Sequence, residues 1–224
     1  MNTLIKGLII AGSLIAMSNA QARGMAEINP FMGFDYKQTQ IHGNGDWGFL
    51  PDHYPGLSFY AGSRFHTYFG VEAGYDQSFF NSNDAGTAST LWNTSAVGLT
   101  VYSKVRFEGG HIDLNGYWPI EEDLELIGGI GWASMKAHMQ ISSMQNTTLA
   151  EALKSTQGRH SSIARAKVGL QYKISDHLGI SGRVLWEGTK ALKVRGSQGF
   201  VNLGIDEKPF KSSFSGLLGL FVTY

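Results

Sequence analysis

The sequence predicts an all-β chain: an eight-stranded antiparallel up-and-down transmembrane β-barrel. Three observations carry that expectation. Segments with one apolar and one polar face recur eight times along the chain. The connectors between them alternate between tight and long. The last segment, Phe214 to Tyr224, runs to an aromatic residue, with Tyr224, Val222, Leu220, Leu218, Gly216 and Phe214 on one face. Side chains alternate across a strand, so each segment has two faces. Short periplasmic turns, long extracellular loops and aromatic girdles are the signature of bacterial barrels.

The segments follow in order. The first shows Met32, Phe34 and Tyr36 against Asp35 and Lys37, with Glu27 and Asn29 on the polar side. The second shows Leu57, Phe59, Ala61 and Phe65 against Ser58, Tyr60 and Arg64. The third has Phe69, Val71, Ala73 and Tyr75 against Glu72 and Asp76. The fourth runs from about Tyr102 to Tyr117, with Val105 and Phe107 apolar at first and Ile112 and Leu114 afterwards. That change of phase at Gly109-Gly110 predicts a β-bulge. The fifth has Leu124, Leu126, Ile130 and Trp132 against Glu125, Gly129 and Gly131. The sixth has Ala164, Ala166, Val168, Leu170 and Tyr172 against Arg165, Lys167 and Gln171. The seventh has Leu178, Ile180, Val184 and Trp186 against Ser181, Arg183 and Glu187. His66 to Tyr68, Trp118 to Asp123 and Ser175 to His177 are the tight connectors. The long ones lie near Thr39 to Gly56, Asn81 to Val101, Gln140 to Ser162 and Thr189 to Lys211.

The N-terminus predicts an export signal over 1–22, followed by the barrel over 23–224. Lys6 precedes an apolar run from Gly7 to Met17, and Ala20-x-Ala22 supplies a small-residue cleavage site. Such a run is too short to span a bilayer as a helix. The chain holds 18 Lys+Arg and 18 Asp+Glu, so losing Lys6 leaves the mature chain at −1. That balance gives no general attraction to nucleic acid. Only 16% of residues are charged and 12% are aromatic, with 29 glycines. Ordinary soluble domains carry about 25% charge.

Alternation alone does not say which face turns inward. A soluble barrel would bury the apolar face. The export signal, the aromatic end and the connector asymmetry select the membrane barrel, whose charged face must then line the lumen. Outer-membrane location, in a Gram-negative cell, is the expectation. Aromatic residues near the tight turns (Phe65, Phe69, Trp118, Tyr172, Tyr224) and near the long loops (Tyr36, Tyr75, Phe79, Trp132, Trp186) suit two interfacial bands.

Three stretches resemble a known family. Gly62 to Tyr75 resembles the second hairpin of OmpA-type eight-stranded barrels. Asn115-Gly116-Tyr117-Trp118-Pro119-Ile120 followed by Asp123-Leu124 resembles the next periplasmic turn. Val168 to Ile174, with Leu178 and Arg183, resembles the sixth and seventh strands. The resemblance implies a lumenal ion-pair network in which Glu72 and Arg183 take the family's inward glutamate and arginine. The family's inward lysine on the fourth strand has no clear match, since Leu114 or Asn115 falls near it. The peptidoglycan-binding domain of larger members is not expected.

The lumenal set expected from strand parity is Glu27, Arg64, Glu72, Glu125, Arg165, Lys167, Arg183 and Glu187, with Glu72, Arg183, Lys167 and Glu125 as the core of the network. A barrel of eight strands is just wide enough for side chains to fill, so this set reads as a plug rather than an ion path. His160 and Ser162 are spaced to share one strand face, as in lipid A deacylases, but no acid follows in Ile163 to Ile174 to orient the base. His42 and His53 share the first long loop with Asp46 and Asp52 without zinc-like spacing. No metal or cofactor is expected. Trp47, Phe49 and Tyr54 in that loop are candidates for contact with an external ligand. Thr148 to Lys154 reads as a short capped helix near the rim. The expected role is structural and interactive, presenting four loops for adhesion or host contact. A small-solute pore is the alternative and a membrane-lipid enzyme the third reading. Expected partners are outer-membrane lipid and lipopolysaccharide, the barrel assembly machinery during biogenesis, and an external ligand at the loops.

Overall fold

The computed structural model describes residues 28–44, 50–87, 100–143, 156–158, 160–192, 194–195, 208 and 210–224. The expected export signal, Glu27, Trp47, Phe49 and the helix expected at Thr148 to Lys154 lie outside these residues. The strands are β1 (Asn29–Gln40), β2 (His53–His66), β3 (Phe69–Ser78), β4 (Asn81–Thr87), β5 (Thr100–Pro119), β6 (Leu124–Ser143), β7 (Thr156–Gly158), β8 (Ser161–Lys173), β9 (Leu178–Glu187), β10 (Val194–Arg195) and β11 (Ser213–Thr223).

All pairings are antiparallel. β1, β2, β3, β5, β6, β8, β9 and β11 each bond their neighbours, and β11 closes the ring onto β1 through Phe31↔Thr223 to Gln40↔Phe214. Eight staves therefore leave no free edge, which is what a sheet needs to cross hydrocarbon. β4 prolongs the third stave beside β5, while β7 and β10 extend the rim beside β6. Among the described residues, tight turns join the staves at one end: Ile174 and Ser175 N–H both donate to Leu178 O, and Ile120 and Glu121 N–H to Leu124 O.

The expected bulge at Gly109-Gly110 is corrected. β5 pairs without slippage with β6 from Val101↔Ser143 to Pro119↔Glu125, and with β3 from Phe69↔Gly116 to Gln77↔Glu108. Val105, Phe107, His111, Asp113, Asn115 and Tyr117 all point inward, while Ile112, Leu114 and Trp118 point outward. The backbone keeps its phase, and it is the surroundings that change. Trp118 to Glu108 spans ten residues of β5. At about 3.3 Å per residue and a tilt of about 35–45°, that is about 25 Å along the axis, the height of the apolar band. Above it the outside is water, so β5 turns Lys104 outward and Val105 and Phe107 inward.

The irregularity lies on the third stave instead. From Gln77↔Glu108 to Asn81↔Val105, four residues of one strand face three of the other. The extra residue leaves consecutive Phe79 and Phe80 both exposed, as a bulge allows.

The outer face carries Phe34, Phe59, Val71, Ile112, Ile130, Val168, Leu170, Val184 and Leu218, all exposed. Phe65, Phe69, Trp118, Tyr172 and Tyr224 lie near one end of this face, and Tyr36, Phe79 and Trp132 near the other. A charge on this face has nothing to pair with in lipid. Val184→Arg is expected to cost about 2–4 kcal/mol. Urea unfolding in lipid vesicles, with Val184→Leu as control, measures it.

Candidate functional site in the lumen

The inward positions form two stacked layers. The lower layer is ionic. At the end nearest the tight turns, Arg64 of β2 grips Glu125 of β6 with both terminal nitrogens, at 3.0 and 2.7 Å, and also donates to Gln171 at 3.1 Å. Its guanidinium stacks 3.8 Å from the Tyr117 ring centre. Above it, Lys167 of β8 bonds Glu72 at 2.6 Å and Asp113 at 2.9 Å. Arg183 of β9 pairs with Asp35 and, at 3.3 Å, with Glu72, and lies 4.3 Å from the Tyr60 ring centre. Higher still, Arg165 spans Asp113 and Asp76, both at 3.2 Å, and Lys37 spans Asp76 at 3.0 Å and Glu187 at 2.9 Å. Shared carboxylates join the bonds of Arg183, Lys167, Arg165 and Lys37 into one network across the barrel, while Arg64 and Glu125 form a separate pair below it.

Buried charges are tolerated only when paired and hydrogen-bonded. Here each cation has a carboxylate from a different strand. The network thus ties together staves far apart in sequence, as Lys37 to Glu187 shows.

The upper layer is apolar. Ile41, Leu50, Tyr54, Val105, Phe107, Met135, Ile163, Leu192 and Phe210 are buried together. Phe107 meets Tyr54 edge-on at 4.8 Å and Phe210 at 5.0 Å. Where the layers meet, a cavity of about 20 Å³ remains among Lys37, Asp76, Glu187, Tyr54 and Phe107. That is room for about one water.

Of the sequence-predicted lumenal residues, Arg64, Glu72, Glu125, Arg165, Lys167, Arg183 and Glu187 all lie in this ionic layer. Glu27 lies outside the described residues. Lys167 of β8 donates to Glu72 at 2.6 Å, and Asn115 on β5, near the position where the resemblance expects a lysine, donates to Glu72 at 3.2 Å. Asp35, Lys37, Asp76, His111 and Asp113 join the layer from outside the predicted set. Parity alone places them inside, and they alternate with residues already read as lipid-facing. His111 stands between Glu72 and Asp76, its nitrogens 3.7 and 3.5 Å from their oxygens.

Glu72, His111 and Asp113 place possible ligand atoms within 4.8 Å of one another. The Lys167 ammonium already sits against both of these carboxylates. A metal there would compete with a cation that the chain supplies itself.

The loop-contact expectation is corrected for Tyr54. Its side chain is only 1% exposed, turned into the apolar layer. As part of β2 above the hydrocarbon, it obeys the soluble rule and faces inward. Trp47 and Phe49 lie outside the described residues. His160 and Ser162 both lie on the exposed side at the upper end of β8, and among the described residues no carboxylate bonds His160.

A closed eight-stave ring with an apolar outside and an ionic inside defines a small outer-membrane β-barrel. The chain belongs to the OmpA-like transmembrane domain family, which matches residues 31–213. The outer membrane protein OprG of Pseudomonas aeruginosa has a similar structure, with TM-score 0.54 and 13% identity over 89% of this chain and 97% of that one. So does Ail, the attachment invasion locus protein of Yersinia pestis, solved with the heparin analogue sucrose octasulfate. It has TM-score 0.52 and 12% identity over 88% of this chain and 99% of that one. At such identities the likeness is one of fold. No curated protein matches the sequence.

Proposed function

We propose that the protein is a closed structural barrel whose work is done at its outer surface, where four long connections present contact sites to external partners. The observation that carries this reading is the filled lumen. An ionic layer occupies the membrane-spanning part, and an apolar layer seals it above. Among the described residues, packing of this kind supports a closed lumen over a pore. Contact chemistry then falls to the connections, since binding residues are disproportionately found on loops carried by a scaffold.

Two measurements test this. In planar bilayers the purified protein is expected to give no steady large single-channel currents; such currents would restore the pore reading. On intact cells, a cysteine placed at Ser89, within the second long connection of the sequence, is expected to react with a membrane-impermeant maleimide, and one at Ser175 is not. The reverse pattern would put the long connections in the periplasm and end the surface-contact reading.

A further inference from the structure

Among the described residues, the outer wall of the barrel is neutral or apolar over most of its height, and its one cluster of permanent charges lies on β5 and β6. β5 and β6 turn Lys104, Arg106, Lys136 and His138 outward, with Glu108 among them. Arg106 lies opposite His138 and Glu108 opposite Lys136. Three permanent cations against one carboxylate leave +2 with His138 neutral. Near this level β1 presents Gln38 and Gln40, and β8 presents Ser162.

The cluster is pre-ordered. Lys104 Nζ and Arg106 Cζ lie 4.8 and 4.6 Å from the centre of the same Phe80 ring. Glu108 accepts from Arg106 at 3.3 Å and lies 2.7 Å from His138 Nε2. The carboxylate therefore holds two of the basic side chains in place without cancelling the group. Its height is equally specific. Glu108 stands about 25 Å above Trp118 along the axis, at the upper edge of the hydrocarbon. Trp132, Phe79 and Phe80, all exposed, give the adjoining surface apolar contacts. Cations directly above a greasy, aromatic surface match a molecule with acyl chains below and a phosphate at the boundary.

We propose that this face of β5 and β6 is a docking site for the phosphorylated headgroup of an outer-leaflet glycolipid. Arg106 and Lys136 hold the phosphate oxygens, and Lys104 adds charge from the side. The proposal uses the outer-membrane placement and is independent of what the loops bind.

The protein is placed in phosphatidylcholine nanodiscs doped with bisphosphorylated lipid A or with the same lipid stripped of both phosphates. Glycolipid retained per protein is read by native mass spectrometry. Retention of the phosphorylated form is expected to exceed the other at least tenfold. Arg106→Gln with Lys136→Gln is expected to weaken it by about tenfold per cation removed, whereas Lys211→Gln leaves it unchanged. Folding is checked by the gel shift between heated and unheated samples. Lys104→Gln, at an exposed position, provides a milder variant should the double one not fold, and is expected to lose about tenfold. Equal retention of both lipids overturns the proposal, as does retention that neither variant alters. Complete displacement by millimolar inorganic phosphate overturns the assignment to a membrane headgroup.

Discussion

Arg183→Met is expected to destabilise the barrel by about 3–5 kcal/mol, the penalty for leaving a buried ion without its partner. The substitution preserves most of the side-chain volume, so the loss isolates the charge. Arg183 lies at the centre of the ionic layer, paired with Asp35 and Glu72 and stacked on Tyr60. Without it two carboxylates from β1 and β3 face each other in a space closed to water, with Lys167 left to serve Glu72 and nothing equivalent for Asp35. Urea unfolding in lipid vesicles, followed by gel mobility, gives the magnitude. Adding Asp35→Asn to Arg183→Met should recover a substantial part, because it removes the orphaned charge. A single variant within about 1 kcal/mol of wild type would show that water enters the lumen freely, and the closed-barrel reading would fail with it.

Phe107→Ala is expected to cost a similar amount, about 3–5 kcal/mol, by a different mechanism. The ring is buried between Tyr54 and Phe210, and its removal leaves a cavity that strands fixed by their ladders cannot close. Conductance should nevertheless stay low, since the ionic layer beneath remains intact. Arg183→Met should also leave the apolar seal above it in place. The two variants therefore separate the layers: both lose stability, and neither conducts alone. A conducting Phe107→Ala barrel would mean that the apolar layer is the sole seal and the ionic layer a water-filled path.

Much of this architecture is legible from side-chain parity. Phe34 and Tyr36 against Asp35 and Lys37, or Val168 and Leu170 against Lys167, announce the two faces of a strand without reference to any other strand. The same count places Glu72, Lys167 and Arg183 on the inner face. It falters at Val105 and Phe107, whose inward, apolar side chains look like a phase error beside outward Ile112 and Leu114. The difference arises because a single solvent does not surround the whole strand. β5 passes from lipid into water, and the inside-outside rule inverts where it crosses. Tyr54 reads as a surface contact in the sequence for the same reason.

The strands, the alternation of their faces and the connector lengths are readable along the chain alone, because they are set by neighbouring residues and by the two-residue period of extended backbone. Which carboxylate meets which cation, with Lys167 of β8 between Glu72 and Asp113, follows only from the assembled barrel. So does the stacking of an apolar layer above an ionic one. Those pairings depend on ring closure and register between strands distant in the chain, and on where the membrane surface cuts the cylinder, quantities to which no local pattern is sensitive.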